Sequence, residues 1–309
     1  MAALKRAALK RCTELILCAV LLLTGPPAIA QLSSSDLYAQ ATQAMLDRSF
    51  PSARVEYLLL DLRTRQPIAM RWKHEETAIP VGSLLKPFVA MAWNDLHAGP
   101  RSHTEFPVVR CHGRSDGCWR AEGHGDVALE RALAVSCNAY FLALARDLIG
   151  SGTAGRTALN RIGAAYGLPY PPADLTARGL IGAVPEWRIA PLVLARAYAR
   201  LLTEQADRNT IQSRLTSGMA LAARPGGTAA GIGAHVNGVF AKTGTAPCVA
   251  DVERCIADGD GLTIVLAPAA SPRLLLLVRE RGTTGAATAI VAGEMLSRIE
   301  KGDGFAGTR

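Results

Sequence analysis

The chain has 309 residues and a formal net charge of +8; 49% of it is hydrophobic and 5% aromatic. That length and apolar content exclude a disordered chain or a small disulfide scaffold and allow one large domain with its own core. The basic groups are spread out and nowhere interleaved with aromatics, which argues against a nucleic-acid partner; the excess reads as a solvated surface, or as one suited to an anionic polymer.

Taken in order, the N-terminus is the first recognisable segment. Lys5, Arg6, Lys10 and Arg11 form a basic region, Leu15 to Leu23 an uncharged apolar stretch, and Ala28-Ile29-Ala30 a small-x-small cleavage site before Gln31. Residues 1–30 therefore read as a signal peptide. The apolar run falls short of the ~20 residues that span a bilayer, and an uncleaved anchor is the alternative. Cys18 precedes the small residues and so is not placed for lipid attachment. Residues 31–309 are expected to be one exported domain carrying +5, since the leader holds four basic groups and Glu14.

Export implies an oxidising compartment. Cys111 with Cys118, and Cys248 with Cys255, are each seven apart and are expected to form two local disulfides, leaving Cys137 over. A metal site from Cys111, His112, Cys118 and His124 matches no zinc spacing, so no metal or other cofactor is expected.

Ser35 to Ser49 has helical periodicity with Ser35 or Asp36 as cap. Arg54 to Asp61 and Ile68 to Trp72, joined by a polar turn, read as an antiparallel hairpin. A helix then begins near Ser83, in Gly82-Ser83-Leu84-Leu85-Lys86-Pro87. Ser83 and Lys86 are three apart, which on a helix sets hydroxyl and amine on one face, ~5–6 Å apart at Cβ. Pro87 cannot donate to the carbonyl of Ser83, so the serine belongs at the first turn, where free amides and the dipole favour negative charge. Residues 99–126 are rich in Gly, His, Arg and Cys and read as a loop region; His97, His103, His112 and His124 are assigned surface or loop-structuring roles. Asp126 to Ile149 is helical, interrupted at Ser136-Cys137-Asn138, with Cys137 pointing away from whatever its neighbours face. Ala190 to Gln205 is a core helix, and the glycines between 226 and 233 are turns. Val236 to Thr245 is a strand ending in Lys242-Thr243-Gly244-Thr245, its glycine allowing close backbone approach. Strands Leu262–Ala267 and Leu274–Arg279 and an amphipathic helix Thr284–Ile299 complete the chain. Strands from both ends around a helical middle imply an α+β fold with one antiparallel sheet.

A Ser-x-x-Lys, a Ser-x-Asn and a Lys-Thr-Gly in that order form the signature of penicillin-recognising serine enzymes. The chain resembles the transpeptidase domain of class B penicillin-binding proteins over roughly residues 54–299. The likeness extends to Gly123–Leu133 running into Ser136-Cys137-Asn138-Ala139-Tyr140-Phe141, to Ala190-Pro191-Leu192-Val193-Leu194-Ala195, and to Gly227-Thr228-Ala229 before Phe240-Ala241-Lys242. Departures are Ala241 where the family usually has glycine, Ala190 where it has threonine, and the lack of a long N-terminal pedestal. An accessory peptidase is thus easier to defend than a main wall-building synthase.

The resemblance implies a β-lactamase/transpeptidase-like fold, a five-stranded antiparallel sheet flanked by helices with an all-helical subdomain. It implies periplasmic action, at the outer face of the inner membrane if the leader is retained, on peptidoglycan stem peptides, with β-lactams as covalent inhibitors; it names no protein partner. Ser83 would be the nucleophile, Lys86 its base kept neutral with help from Lys242, and Ser136 the proton relay. Asn138 would hold Lys86 and the substrate amide, while Lys242, Thr243 and Thr245 bind the substrate carboxylate and Gly244 lets the strand approach. Backbone amides of Ser83 and Thr245 would form the oxyanion hole. A class D-like β-lactamase also resembles the chain in spacing, 53 residues from Ser83 to Ser136 and 106 on to Lys242, although class D has an apolar residue at the place of Asn138. A sensor that acylates without turnover is the third reading.

Overall fold

A computed structural model describes residues 34–98, 105–203, 210–250, 254–257 and 259–302. The leader, residues 1–30, and His103 lie outside them. Residues up to Tyr38 form a unit of their own, described only from 34 as the start of helix α1 (Ser34–Ser49); the rest of the chain is a second unit. Among the described residues no helix is long and apolar enough to cross a membrane.

The second unit is built on a five-stranded antiparallel sheet whose strands lie, edge to edge, at 67–71, 55–61, 274–280, 259–267 and 240–247. The hairpin β1 (Val55–Asp61) and β2 (Pro67–Arg71) forms as its sequence predicts, with a register shift between Leu59 and Leu60. β7 (Phe240–Pro247), β8 (Gly259–Ala267) and β9 (Leu274–Glu280) come from the other end of the chain. Register Leu58↔Leu277 joins the two ends, so the N-terminal hairpin extends a C-terminal meander.

The near-continuous leucine runs follow from burial on both faces. Side chains alternate across a strand, so Leu58, Leu60, Leu275, Leu277, Ile264 and Leu266 enter one core, and Tyr57, Leu59, Leu276, Val278 and Val265 another. The first core is shared with the helical middle, the second with α9 (Gly285–Lys301). A polar cluster ties α1 to the sheet: Tyr57 Oη donates to Asp47 at 2.8 Å, and Gln43 takes the Met70 amide at 2.6 Å.

The helical middle holds α2 (Lys86–His97), α3 (Leu129–Ala134), α4 (Asn138–Gly150), α5 (Thr153–Tyr166), the short α6 (Ala177–Leu180), α7 (Pro191–Thr203) and α8 (Ile211–Ala222). The expected helix over 126–149 is two helices: Asp126 belongs instead to β5 (Gly125–Val127), paired with β4 (Val109–Cys111). The supposed loop region 99–126 therefore contains this hairpin and a short helical turn at Arg114–Asp116 within its described part. A small ladder between β3 (Ile79–Pro80) and β6 (Arg188–Ile189) lies next to the Ser83 segment.

Candidate active site

The Ser83 segment is a single 3₁₀ turn, Gly82–Leu85, feeding directly into α2, with Pro87 in the helix's first turn. The Lys86 amide closes on the Ser83 carbonyl, the bond Pro87 cannot make. Tyr198 of α7 donates its hydroxyl to the Leu84 carbonyl at 2.7 Å and sets its ring edge-on to Phe88, which gives the Ala190–Ala199 segment its place in the site.

Three chain segments converge beneath Ser83. Ser136 and Asn138 occupy the break between α3 and α4, where Ser136 has φ +51°, a strained value for a residue with a side chain. The Lys86 amine donates to the Ser136 carbonyl at 2.8 Å, to Asn138 Oδ1 at 2.6 Å, and lies 3.2 Å from Ser136 Oγ. Two of these partners can only accept. A neutral amine, with two N–H groups, satisfies both and turns its lone pair to a hydroxyl. Lys242 Nζ, from β7, also donates to Ser136 Oγ, at 3.0 Å, and to the Thr243 carbonyl at 2.5 Å. One hydroxyl thus joins two buried amines. No hydrogen bond of Lys86 among those described reaches Ser83.

Both lysines are fully buried. Burial pushes the Lys86 amine down to about 7, against the pull of the Cys137 and Cys118 sulfurs, which favour its charged form. Lys242 is driven well below its ordinary value by burial and then by repulsion from Lys86. Loss of water is thus what lowers Lys86, and the repulsion between the two amines is expressed on Lys242.

β7 is an edge strand, and alternation places Lys242 and Gly244 on the face toward Ser83. A Cβ at Gly244 would meet the Val81 carbonyl at 2.8 Å and the Ser83 amide nitrogen at 3.3 Å; one at Gly182, which has φ +74°, would fall 2.0 Å from the Gly82 carbonyl. Only backbone fits between these segments. Thr243 donates to Thr228 at 2.7 Å, and Thr228 caps the Ala134 carbonyl, so the segment before β7 is tied to the end of α3. Thr245 is exposed and accepts from the Gly285 amide at 3.0 Å, which leaves its own proton to offer.

These groups border a cleft of about 530 Å³ lined by Ser83, Ser136, Asn138, Thr228, Thr243, Gly244 and Thr245, with Trp119, Arg178 and Gly182 on the same walls. Ser83, Ser136, Asn138, Thr243, Gly244 and Thr245 thus meet at one surface, and Lys86 and Lys242 lie just beneath it. Sequence reading gave no role to Arg178, which brings an exposed guanidinium to the lining, nor to Gly182; both lie in a stretch without motif spacing. Thr228 belongs to the family-like Gly227-Thr228-Ala229 segment, but its bond to Thr243 is visible only in three dimensions.

The cysteines divide differently from the expectation. Cys248 and Cys255 are bridged, with Cα atoms 5.8 Å apart. Cys111 and Cys118 are not: both are free and buried, and they share a site with Cys137 and His124. The predicted second disulfide is overturned because the β4–β5 hairpin folds both thiols inward onto the start of α4. Cys137 does point away from the cleft. His97 pairs with Asp147 at 2.8 Å and His112 with Asp116 at 2.9 Å, as loop and surface groups.

No family model matches the sequence, and no curated protein does. Solved structures do. The transpeptidase domain of penicillin-binding protein 3 from Burkholderia pseudomallei superposes at TM-score 0.64 with 16% identity, covering 90% of this chain and 98% of that one. PBP2 of Pseudomonas aeruginosa, solved with WCK 5153, gives 0.63 and 18%, over 84% and 77%. A peptidoglycan glycosyltransferase from Burkholderia ambifaria gives 0.62 and 17%, over 88% and 96%. At these identities the likeness establishes the fold alone, that of penicillin-binding protein transpeptidase domains.

Proposed function

We propose that this protein is a serine D,D-peptidase of peptidoglycan stem peptides, a transpeptidase or D-alanyl-D-alanine carboxypeptidase that β-lactams acylate. The observation that carries the reading is the Ser136 hydroxyl shared between the Lys86 and Lys242 amines, in the wall of a cleft that Ser83 also lines. A serine hydroxyl needs a base to attack a carbonyl, and a desolvated lysine near neutrality can act as one at physiological pH.

In this mechanism Ser83 Oγ attacks the carbonyl of the D-Ala-D-Ala bond and its proton passes to the Lys86 amine. The oxyanion is met by backbone amides of Ser83 and Thr245, which the glycine contacts at Gly82 and Gly244 allow to approach. Ser136 hands a proton from the lysine pair to the departing D-alanine amine. Asn138 keeps Lys86 in place and offers its amide to the substrate backbone. Thr243, Thr245 and Arg178, polar groups of the lining, receive the substrate carboxylate, with Lys242 acting on it from beneath by charge. The Ser83 ester then breaks to water, giving a shortened peptide, or to an amine, giving a crosslink. The leader directs this chemistry to the periplasm, or to the outer face of the inner membrane where it is retained.

Fast β-lactam hydrolysis fits less well. Glu186 is engaged by the Thr176 amide and hydroxyl at 2.7–2.9 Å, and no carboxylate is among the lining residues, so the described cleft has no evident deacylating base. Purified protein is expected to bind fluorescent penicillin covalently, and Ser83→Ala to abolish the label. Product analysis with a synthetic pentapeptide, with and without an amine acceptor, then separates outcomes: release of D-alanine or transfer supports the peptidase. Rapid nitrocefin turnover would replace it with a β-lactamase, and a stable adduct without peptide products with a sensor.

A further inference from the structure

Outside the cleft, the densest chemistry is the thiol cluster behind it. Cys111 ends β4, Cys118 follows the turn at Arg114–Asp116, His124 precedes β5, and Cys137 caps α4. Their ligand atoms all lie within 4.8 Å of one another. His124 Nδ1 is 3.2 Å from Cys118 Sγ and 3.7 Å from Cys111 Sγ. The edges of a tetrahedron with metal–sulfur bonds of 2.3 Å and a metal–nitrogen bond of 2.0–2.1 Å are about 3.5–3.8 Å, so the four donors surround one point and need shifts of only about 1 Å to reach those distances.

We infer that Cys111, Cys118, Cys137 and His124 Nδ1 form a tetrahedral Cys3His site for a divalent zinc-type cation. The three thiols are at most 5% exposed. A disulfide between any two would leave the third thiol buried against the half-buried imidazole. His124 Nε2 is buried without a hydrogen-bond partner, so the ring's polar contacts run through Nδ1. Backbone amides of Gly113 and His124 face Cys111, those of Arg120 and Asn138 face Cys118, and that of Tyr140 faces Cys137; such outer contacts orient metal ligands. A soft, tetrahedral donor set selects zinc over the hard cations. Binding exchanges three thiol protons for one cation, leaving a complex of net charge −1 with no change of oxidation state.

The site also has a consequence for the cleft. Cys137 sits between Ser136 and Asn138, and Asn138 Nδ2 donates to the carbonyl of Gly117, next to Cys118, at 3.1 Å. A cation here would fix both residues that hold Lys86. The inference does not depend on the serine chemistry: metal content and penicillin labelling are independent readouts.

The test uses the full chain, exported and purified without chelator. Elemental analysis is expected to find one zinc per chain, and metal-free protein titrated with Co2+ is expected to develop the visible absorption of a tetrahedral thiolate complex at one equivalent. Cys118→Ser and His124→Ala are each expected to weaken retention against a competing chelator by at least ~100-fold, whereas the double substitution Cys248→Ser, Cys255→Ser leaves it unchanged. Should the ligand variants not fold, the Co2+ titration of the unaltered chain decides. Sub-stoichiometric metal with no cobalt–thiolate band, a Cys111–Cys118 disulfide found by mass spectrometry, or full metal retention by Cys118→Ser would each overturn the proposal.

Discussion

At the scale of single residues, the proposed chemistry turns on an amine in the wrong solvent. Lys86 would hold a proton at neutral pH in water; buried completely, it titrates near 7. Acylation by penicillin is therefore expected to rise with pH, about tenfold per unit below 7, and to level off above it, as measured by stopped-flow labelling. Lys86→Met is expected to lower the rate by roughly 10²–10⁴ and remove the rise. The same shift bears on stability. The folded state releases the proton near 7 and the unfolded chain only near 10.5, so between those values the unfolded chain binds more protons and stability increases with pH. Denaturation across that window should show the unaltered protein gaining on Lys86→Met by up to about 1.4 kcal/mol per pH unit; equal slopes would mean that Lys86 is charged in the fold.

At the scale of elements, the site depends on how closely three backbones approach. The Ser83 turn lies between the Gly182 segment and β7, and each contact requires a residue without Cβ. Gly182→Ala would drive a methyl into the Gly82 carbonyl at a positive φ. It is expected to cost about 2–5 kcal/mol in chemical denaturation and to slow acylation sharply, since the turn must shift. Gly238→Ala is the control: its φ is also positive, but nothing lies within 4 Å. It should cost about 1–2 kcal/mol of backbone strain and leave acylation unchanged. A helix pair outside the cleft is fixed in another way, by Glu130 of α3 and Arg214 of α8 at 2.5 and 3.1 Å, with the guanidinium over Phe106.

At the scale of the whole molecule, the sheet is where the two ends of the chain meet, and an internal charge marks the junction. Arg279 on β9 is 6% exposed and pairs with Glu56 on β1 and Asp260 on β8. Arg279→Met leaves the buried Asp260 and the partly buried Glu56 uncompensated and is expected to destabilise by about 3–5 kcal/mol in urea melts, with recovery when both acids are also replaced by their amides. How much of this was legible in sequence varies by region. The hairpin, the leucine strands and the last helix announce themselves because a period of 2 or 3.6 is local, and the three motifs because their residue types and order are specific. The helices over 153–166 and 211–222 gave no comparable signal, as small and polar residues dilute their periodicity. Composition and order alone determined the fold class and which serine and lysines to examine. Only the tertiary structure decided that Lys86 is fully buried, that glycines 82, 182 and 244 stack backbone on backbone, and that Cys111 and Cys118 stay unpaired beside Cys137 and His124. Each of these depends on distances between segments tens of residues apart, and no local pattern encodes them.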